Sequence, residues 1–183
     1  MILKFVQIFF LLVILSLSMP AQINSVSFGG SLHLGNIRGN SPSISSLGGT
    51  IFIDFIPWFE NDVSFRTSFT YSQMVEKFLP ENRTGRYYPF LKVFSLKGFI
   101  RQDFSFPFYI EEGAGIILLN DRTFGDVNAW DTGAGFSALF GYDLRTTGIT
   151  GLSFGLGIDY GVTFTKTTAS YFLVFLQTHY YFF

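Results

Sequence analysis

Apolar and small or polar side chains alternate residue by residue through most of the chain beyond residue 22. Val26, Phe28, Gly30, Leu32 and Leu34 stand against Ser25, Ser27, Gly29, Ser31 and His33, a period of two that predicts a strand with one apolar face. Ile51, Ile53 and Phe55 face away from Thr50, Phe52 and Asp54, and Val63, Phe65, Thr67, Phe69 and Tyr71 from Ser64, Arg66, Ser68, Thr70 and Ser72. The plan recurs from Ala134 to Tyr142 and from Leu152 to Tyr160. Three segments are less regular. Tyr87 to Leu96 is apolar on both faces, with Lys92 the one hint of an inward side, and Pro107 to Leu119 carries Glu111 and Glu112 next to each other, so that one must break the pattern. The last strand, Ala169 to Phe183, admits two registers: Phe172, Val174, Leu176, Tyr180 and Phe182, or the less apolar set ending in Tyr181 and Phe183.

Eight strands are therefore predicted, and the residue sizes say which face looks where. The polar faces are built largely from Gly and Ser, too small to fill a soluble core, while the apolar faces are large and aromatic. That combination predicts a narrow polar interior with lipid outside: an all-β, eight-stranded antiparallel up-and-down transmembrane β-barrel. The connections after the first, third and fifth strands, roughly 36–46, 75–86 and 120–131, are long and polar, whereas those near 57–62 and 144–149 are short. Long and short ends thus alternate as a barrel with exposed loops and tight turns requires. The stretch 97–106 is long for a turn, and 162–168 is the shortest of the four outer loops.

The start of the chain sets its compartment. Lys4, an apolar run from Phe5 to Leu15, and then Ser16, Ser18, Pro20 and Ala21 read as a secretory signal cleaved after Ala21, its apolar run too brief to span a bilayer. Residues 22–183 form one domain without a second run of eighteen apolar residues. Composition sharpens the membrane reading, because 48% of residues are hydrophobic and 20% aromatic, and only 14% are charged against the usual figure of about 25%. Cysteine is absent, leaving neither disulfides nor a lipid-anchor thiol. A net charge of -1 gives no electrostatic case for nucleic acid.

With the exported start, Pro89-Phe90-Leu91-Lys92, Phe108-Tyr109-Ile110-Glu111-Glu112-Gly113-Ala114-Gly115 and the terminal Phe183, the chain resembles the small bacterial outer-membrane barrels, the OmpA-like, OmpX-like and PorT-like porin-family group. The resemblance implies the outer membrane as location, its lipids and the barrel-assembly machinery as partners, and Tyr181 with Phe183 as the C-terminal assembly signal. Strands five to eight are also similar in layout to the outer-membrane lipid A deacylases. The stretch matching their catalytic His and Ser is Asp159-Tyr160-Gly161-Val162, which has neither, and this departure argues against that activity.

The chemistry-bearing residues favour architecture over catalysis. Gly151-Leu152-Ser153-Phe154-Gly155 spells a nucleophile elbow, but inside a strand and without the helix that motif needs. His33 and His179 are the two histidines, too few for a zinc site; as a hydrolase base either would need a serine in reach, Ser27 or Ser31. Asp54, Arg66, Glu111 and Asp159, with Lys92, are expected to form a paired charge network in the lumen, the alternative being a solvated pore lining. Trp58, Trp130, Tyr180 and Tyr181 are expected at the membrane interfaces. Asn82-Arg83-Thr84 matches a glycosylation acceptor, of little meaning in a bacterium. The functional expectation is a non-enzymatic, monomeric barrel without cofactor, structural or presenting its long loops to a surface partner; a lipid A-modifying hydrolase and a narrow channel are the alternatives.

Overall fold

A computed structural model describes residues 23–39, 42–57, 60–79, 87–125, 128–145 and 150–182. The expected leader 1–21, the glycosylation triplet, Trp58 and Phe183 lie outside them. The chain forms eight strands, β1 (Ile23–Arg38), β2 (Ile44–Pro57), β3 (Val63–Met74), β4 (Phe90–Ser105), β5 (Phe108–Arg122), β6 (Ala129–Asp143), β7 (Gly151–Thr163) and β8 (Ser170–Tyr181). A 3-10 turn, Val75–Phe78, follows β3. Each strand pairs antiparallel with its sequence neighbour, and β1 pairs with β8 from Ser27 opposite Tyr181 to Arg38 opposite Ser170. This is a closed eight-stranded up-and-down barrel, in which no strand edge is left to recruit another chain.

The alternation sorts side chains as the sequence requires. Leu32, Ile51, Leu96, Ile116, Leu156 and Leu176 point outward and stay exposed, forming with their neighbours an apolar belt far larger than the surface patches of soluble monomers. Strands of 12 to 16 residues exceed the about 9–11 needed to cross a bilayer. No helix among the described residues is long and apolar enough to cross a membrane; the crossing is made by strands.

Where the sequence was ambiguous, three facts decide it. β4 does not stop at Leu96 but continues to Ser105, so the apparent long connection 97–106 is mostly strand. The turn to β5 is the dipeptide Phe106-Pro107, joined by a cis peptide bond. In β5 Glu111 is buried and faces inward while Glu112 is exposed. In β8 the more apolar register faces outward, so Tyr181 faces inward and is buried.

Inward glycines make room for inward rings. A Cβ on Gly141 would lie 2.1 Å from Cζ of Tyr109, and one on Gly113 would lie 2.5 Å from the Phe99 ring. The glycine-rich faces thus belong to a lumen packed with large residues reaching across from other strands.

Candidate functional site

The lumen is layered along the barrel axis. The start of β1, the end of β8 and the β2–β3, β4–β5 and β6–β7 connections share one end of the barrel, here the turn end; the other is the loop end. At the loop end Ile37, Leu91, Val93, Ile117, Leu119, Ala169, Tyr171 and Leu173 form a buried apolar cluster inside the barrel. This stopper explains why 87–96 reads as apolar on both faces: Leu91 and Val93 point into it while Phe94 and Leu96 point outward.

The middle layer is ionic. Arg66 on β3 donates from Nε to Oδ1 and from Nη2 to Oδ2 of Asp54, each at 2.7 Å. Its Nη2 also reaches Glu111 Oε2 at 3.0 Å, and its Nη1 reaches Gln177 Oε1 at 3.2 Å. The guanidinium lies between two aromatic faces, 4.4 Å from the Phe52 centroid and 4.1 Å from that of Phe99, so its donor edge is spent on carboxylates and its planes on rings. Beside it Lys97 Nζ donates to Asp159 Oδ1 at 2.5 Å and to Ser137 Oγ at 2.8 Å. Such groups persist in a low-dielectric interior because each charge is paired.

Towards the turn end the lumen widens into a cavity of about 470 Å³. Asp54, Glu111, Ser27 and His179 line its floor, and Asp62, Arg101, Asp103, Asp143 and Arg145 its rim. Arg101 donates to Asp103 at 2.9 Å, to Asp143 at 2.8 Å and to the Tyr181 hydroxyl at 3.3 Å, with its carbon 3.9 Å from the Tyr109 ring centroid. Arg145 donates to Asp143 and stacks 3.7 Å over Tyr181.

The structure brings together three of the five charges expected in one network, Asp54, Arg66 and Glu111. Asp159 is also inward, but its cation is Lys97. Lys92 is a correction: it points outward, its ammonium 5.5 Å from the Phe90 ring. Lys92 and Lys97 have opposite parity on β4, so only one can enter the lumen. A reading that ends the strand at Leu96 omits the inward sequence Lys97, Phe99, Arg101 that settles which. Tyr181 is a second correction among the interfacial aromatics, since its ring lies in the lumen against Arg145 and His179. Trp130 and Tyr180 do face outward, Trp130 stacked on Phe94 and Tyr180 edge-on to Phe182.

One arrangement tests the hydrolase alternative directly. Ser27 Oγ lies 2.6 Å from His179 Nε2, and Asp54 Oδ2 lies 3.3 Å from the same nitrogen. A catalytic relay places serine and carboxylate on opposite ring nitrogens. Here Nδ1 has no hydrogen-bond partner among the described residues, so the imidazole cannot pass a proton from serine towards the carboxylate side. His33 is on another part of the wall, opposite Phe175 rather than His179, and no group of three or more acidic or histidine side chains among the described residues could hold a metal. Ser153, the serine of the elbow-like pentapeptide, is buried near the start of β7 and accepts a bond from the Tyr109 hydroxyl at 3.0 Å.

No protein-family model matches the sequence, and no curated protein matches it significantly. Solved structures do match the fold. Neisserial surface protein A is similar with a TM-score of 0.67 at 12% identity, over 86% of this chain and 97% of that one. The N-terminal β-barrel domain of Pseudomonas aeruginosa OprF gives 0.52 at 15% identity, over 88% and 99%. Ail, the attachment invasion locus protein of Yersinia pestis, gives 0.50 at 13%, over 86% and 97%. The chain has the fold of the small eight-stranded outer-membrane barrels.

Proposed function

We propose that this protein is a non-enzymatic outer-membrane barrel with a closed lumen, acting as a structural element of the envelope and as a carrier of surface loops. The observation that carries the reading is the lumen itself. Among the described residues an apolar stopper at the loop end and the Arg66 network beneath it fill the interior at two levels, which supports a closed lumen, since eight strands enclose an interior that side chains just fill. The loop end is also built for display: the Asp131 carboxylate accepts bonds from the backbone of Lys166 and Thr167 at 3.0 and 2.5 Å, from the Thr167 hydroxyl at 2.9 Å and from that of Thr165, holding the last loop in one shape. Similarity to a surface protein and to an attachment invasion locus protein supports a role at the cell surface.

The test has two parts. Purified protein in planar bilayers is expected to give no discrete conductance steps, and its expression is expected to leave the lipid A and phospholipid acyl profiles unchanged by mass spectrometry. Steady single-channel steps would replace this reading with the narrow channel. A lost or transferred acyl chain that depends on Ser27 would replace it with the hydrolase.

A further inference from the structure

The outer wall of the barrel carries positive charge near the loop end. Lys92 stands on the lipid-facing side of β4, just beyond Phe94, whose ring stacks on Trp130 with centroids 6.1 Å apart. In the sheet it lies between Tyr71 of β3 and Asn120 of β5. Arg122 is on the same side of β5, opposite Phe90. The two cations share one ring: Lys92 Nζ is 5.5 Å and Arg122 Cζ 5.7 Å from the Phe90 centroid. Tyr71 and Tyr87 pack on that ring too, at 5.6 and 6.3 Å between centroids. Lys77, in the turn after β3, joins through Gln73, whose Oε1 accepts from Lys77 Nζ at 2.7 Å and from the Tyr71 hydroxyl at 2.9 Å. The Tyr87 hydroxyl donates to the Arg122 carbonyl at 2.6 Å, which ties the approach to β4 to the end of β5.

These cations are treated unlike those of the lumen. Arg66, Lys97, Arg101 and Arg145 each hold a carboxylate inside the barrel, whereas Lys77, Lys92 and Arg122 make no ion pair with a described carboxylate. Of the described acids at this end, Asp121 and Asp131 are spent on hydroxyls and amides of the loops, which leaves exposed Glu76 against three cations. A charge on the lipid-facing wall costs least at the depth of the headgroups, and aromatic residues mark that depth. The loop end is the outer one in barrels of this design.

We propose that this face of β3, β4 and β5 holds the phosphorylated headgroup of an outer-leaflet glycolipid, with Lys92 and Arg122 as its main phosphate ligands, Lys77 at its edge, and the Phe90 cluster as an apolar floor. Charge complementarity selects the occupant. An acyl chain by itself has no use for three cations, a zwitterionic headgroup brings its own, and a second copy docking by the same face would set like charges together. A phosphate monoester accepts from the arginine fork and from a lysine at once, and clustered basic side chains at a membrane surface draw anionic headgroups. The inference rests on the outer-membrane placement proposed above, but on neither the closed lumen nor the displayed loops.

The experiment titrates the full mature protein, purified in dodecyl maltoside, with diphosphorylated lipid A and counts bound lipids by native mass spectrometry. One tightly held lipid A is expected, in preference to dephosphorylated lipid A and to phosphatidylglycerol. Lys92→Gln combined with Arg122→Gln should weaken it at least about tenfold, the equivalent of about 1.4 kcal/mol. Arg38→Gln combined with Lys166→Gln removes as much charge from the same end and should leave the affinity as it was, and Lys92→Arg should keep it. Heat-modifiable mobility of each sample reports the closed membrane barrel separately, so weak lipid binding by a heat-modifiable protein counts against this site and not against the placement. Equal binding of dephosphorylated lipid A or phosphatidylglycerol, equal loss in the Arg38 and Lys166 pair, full affinity in the Lys92 and Arg122 pair, or displacement of the lipid by millimolar inorganic phosphate would each overturn the proposal.

Discussion

Replacing Arg66 by Met tests the logic of the middle layer most directly. Met approximates the aliphatic stem, so the substitution removes the guanidinium with little loss of packing. It leaves Asp54 and Glu111, 2% and 4% exposed, without the cation that both touch, and it removes the filling between the Phe52 and Phe99 rings. Breaking a buried pair by deleting one partner costs about 3–5 kcal/mol, a factor of about a hundred to a few thousand in the folded-to-unfolded ratio. Urea unfolding in lipid vesicles, read by tryptophan fluorescence and by heat-modifiable mobility on a gel, measures it. The same reasoning makes a second demand. Adding Asp54→Asn and Glu111→Gln to Arg66→Met removes the uncompensated charges, and the triple variant should regain more than half of the loss. If Arg66→Met unfolds within about 1 kcal/mol of the parent, or if neutralising both carboxylates restores nothing, the network is not what holds this layer together.

Three further outcomes follow from other parts of the barrel. Asp131→Asn replaces one acceptor oxygen by an amide that repels the donors of Lys166 and Thr167, so cleavage after Lys166 by trypsin should accelerate while the barrel stays folded. Gly141→Val drives a side chain into the Tyr109 ring and should cost about 1–3 kcal/mol by overpacking, whereas Gly98→Ala, whose added Cβ would approach nothing nearer than 3.9 Å at Phe65, should stay within about 0.5 kcal/mol in the same urea titration. Ser27→Ala breaks the 2.6 Å contact to His179 but should leave cellular lipid composition as it was, since no relay runs through that histidine.

The period-two pattern carried the strand count, the closure and the outward face almost whole, because lipid outside imposes one consistent demand on every second residue. The inward face was harder to read. Its residues answer to partners on other strands, not to one solvent, so a charge such as Lys97 or a ring such as Tyr109 makes sense only once Asp159 or Gly141 is known to lie opposite. Glu111 and Glu112 could not be told apart from β5 alone; Arg66, forty-five residues away, decides. The apolar stopper was visible only as an irregularity, the double-faced hydrophobicity of 87–96. Ser27 and His179 were candidates for a contact and do meet, but the ring nitrogen that each neighbour would choose lay beyond what residue identity conveys.

Arg66 can also be viewed as a mechanical part. Rooted on β3, it grips β2 through Asp54, β5 through Glu111 and β8 through Gln177, so one side chain acts as a spoke joined to the wall at several points of its circumference. A thin tube under lateral pressure from the surrounding bilayer flattens most readily by letting its cross-section become elliptical, and a braced spoke resists that mode while leaving the rim free to carry loops of any sequence. The diameter on which those loops are mounted is then set near mid-barrel, far from the residues that meet the outside world.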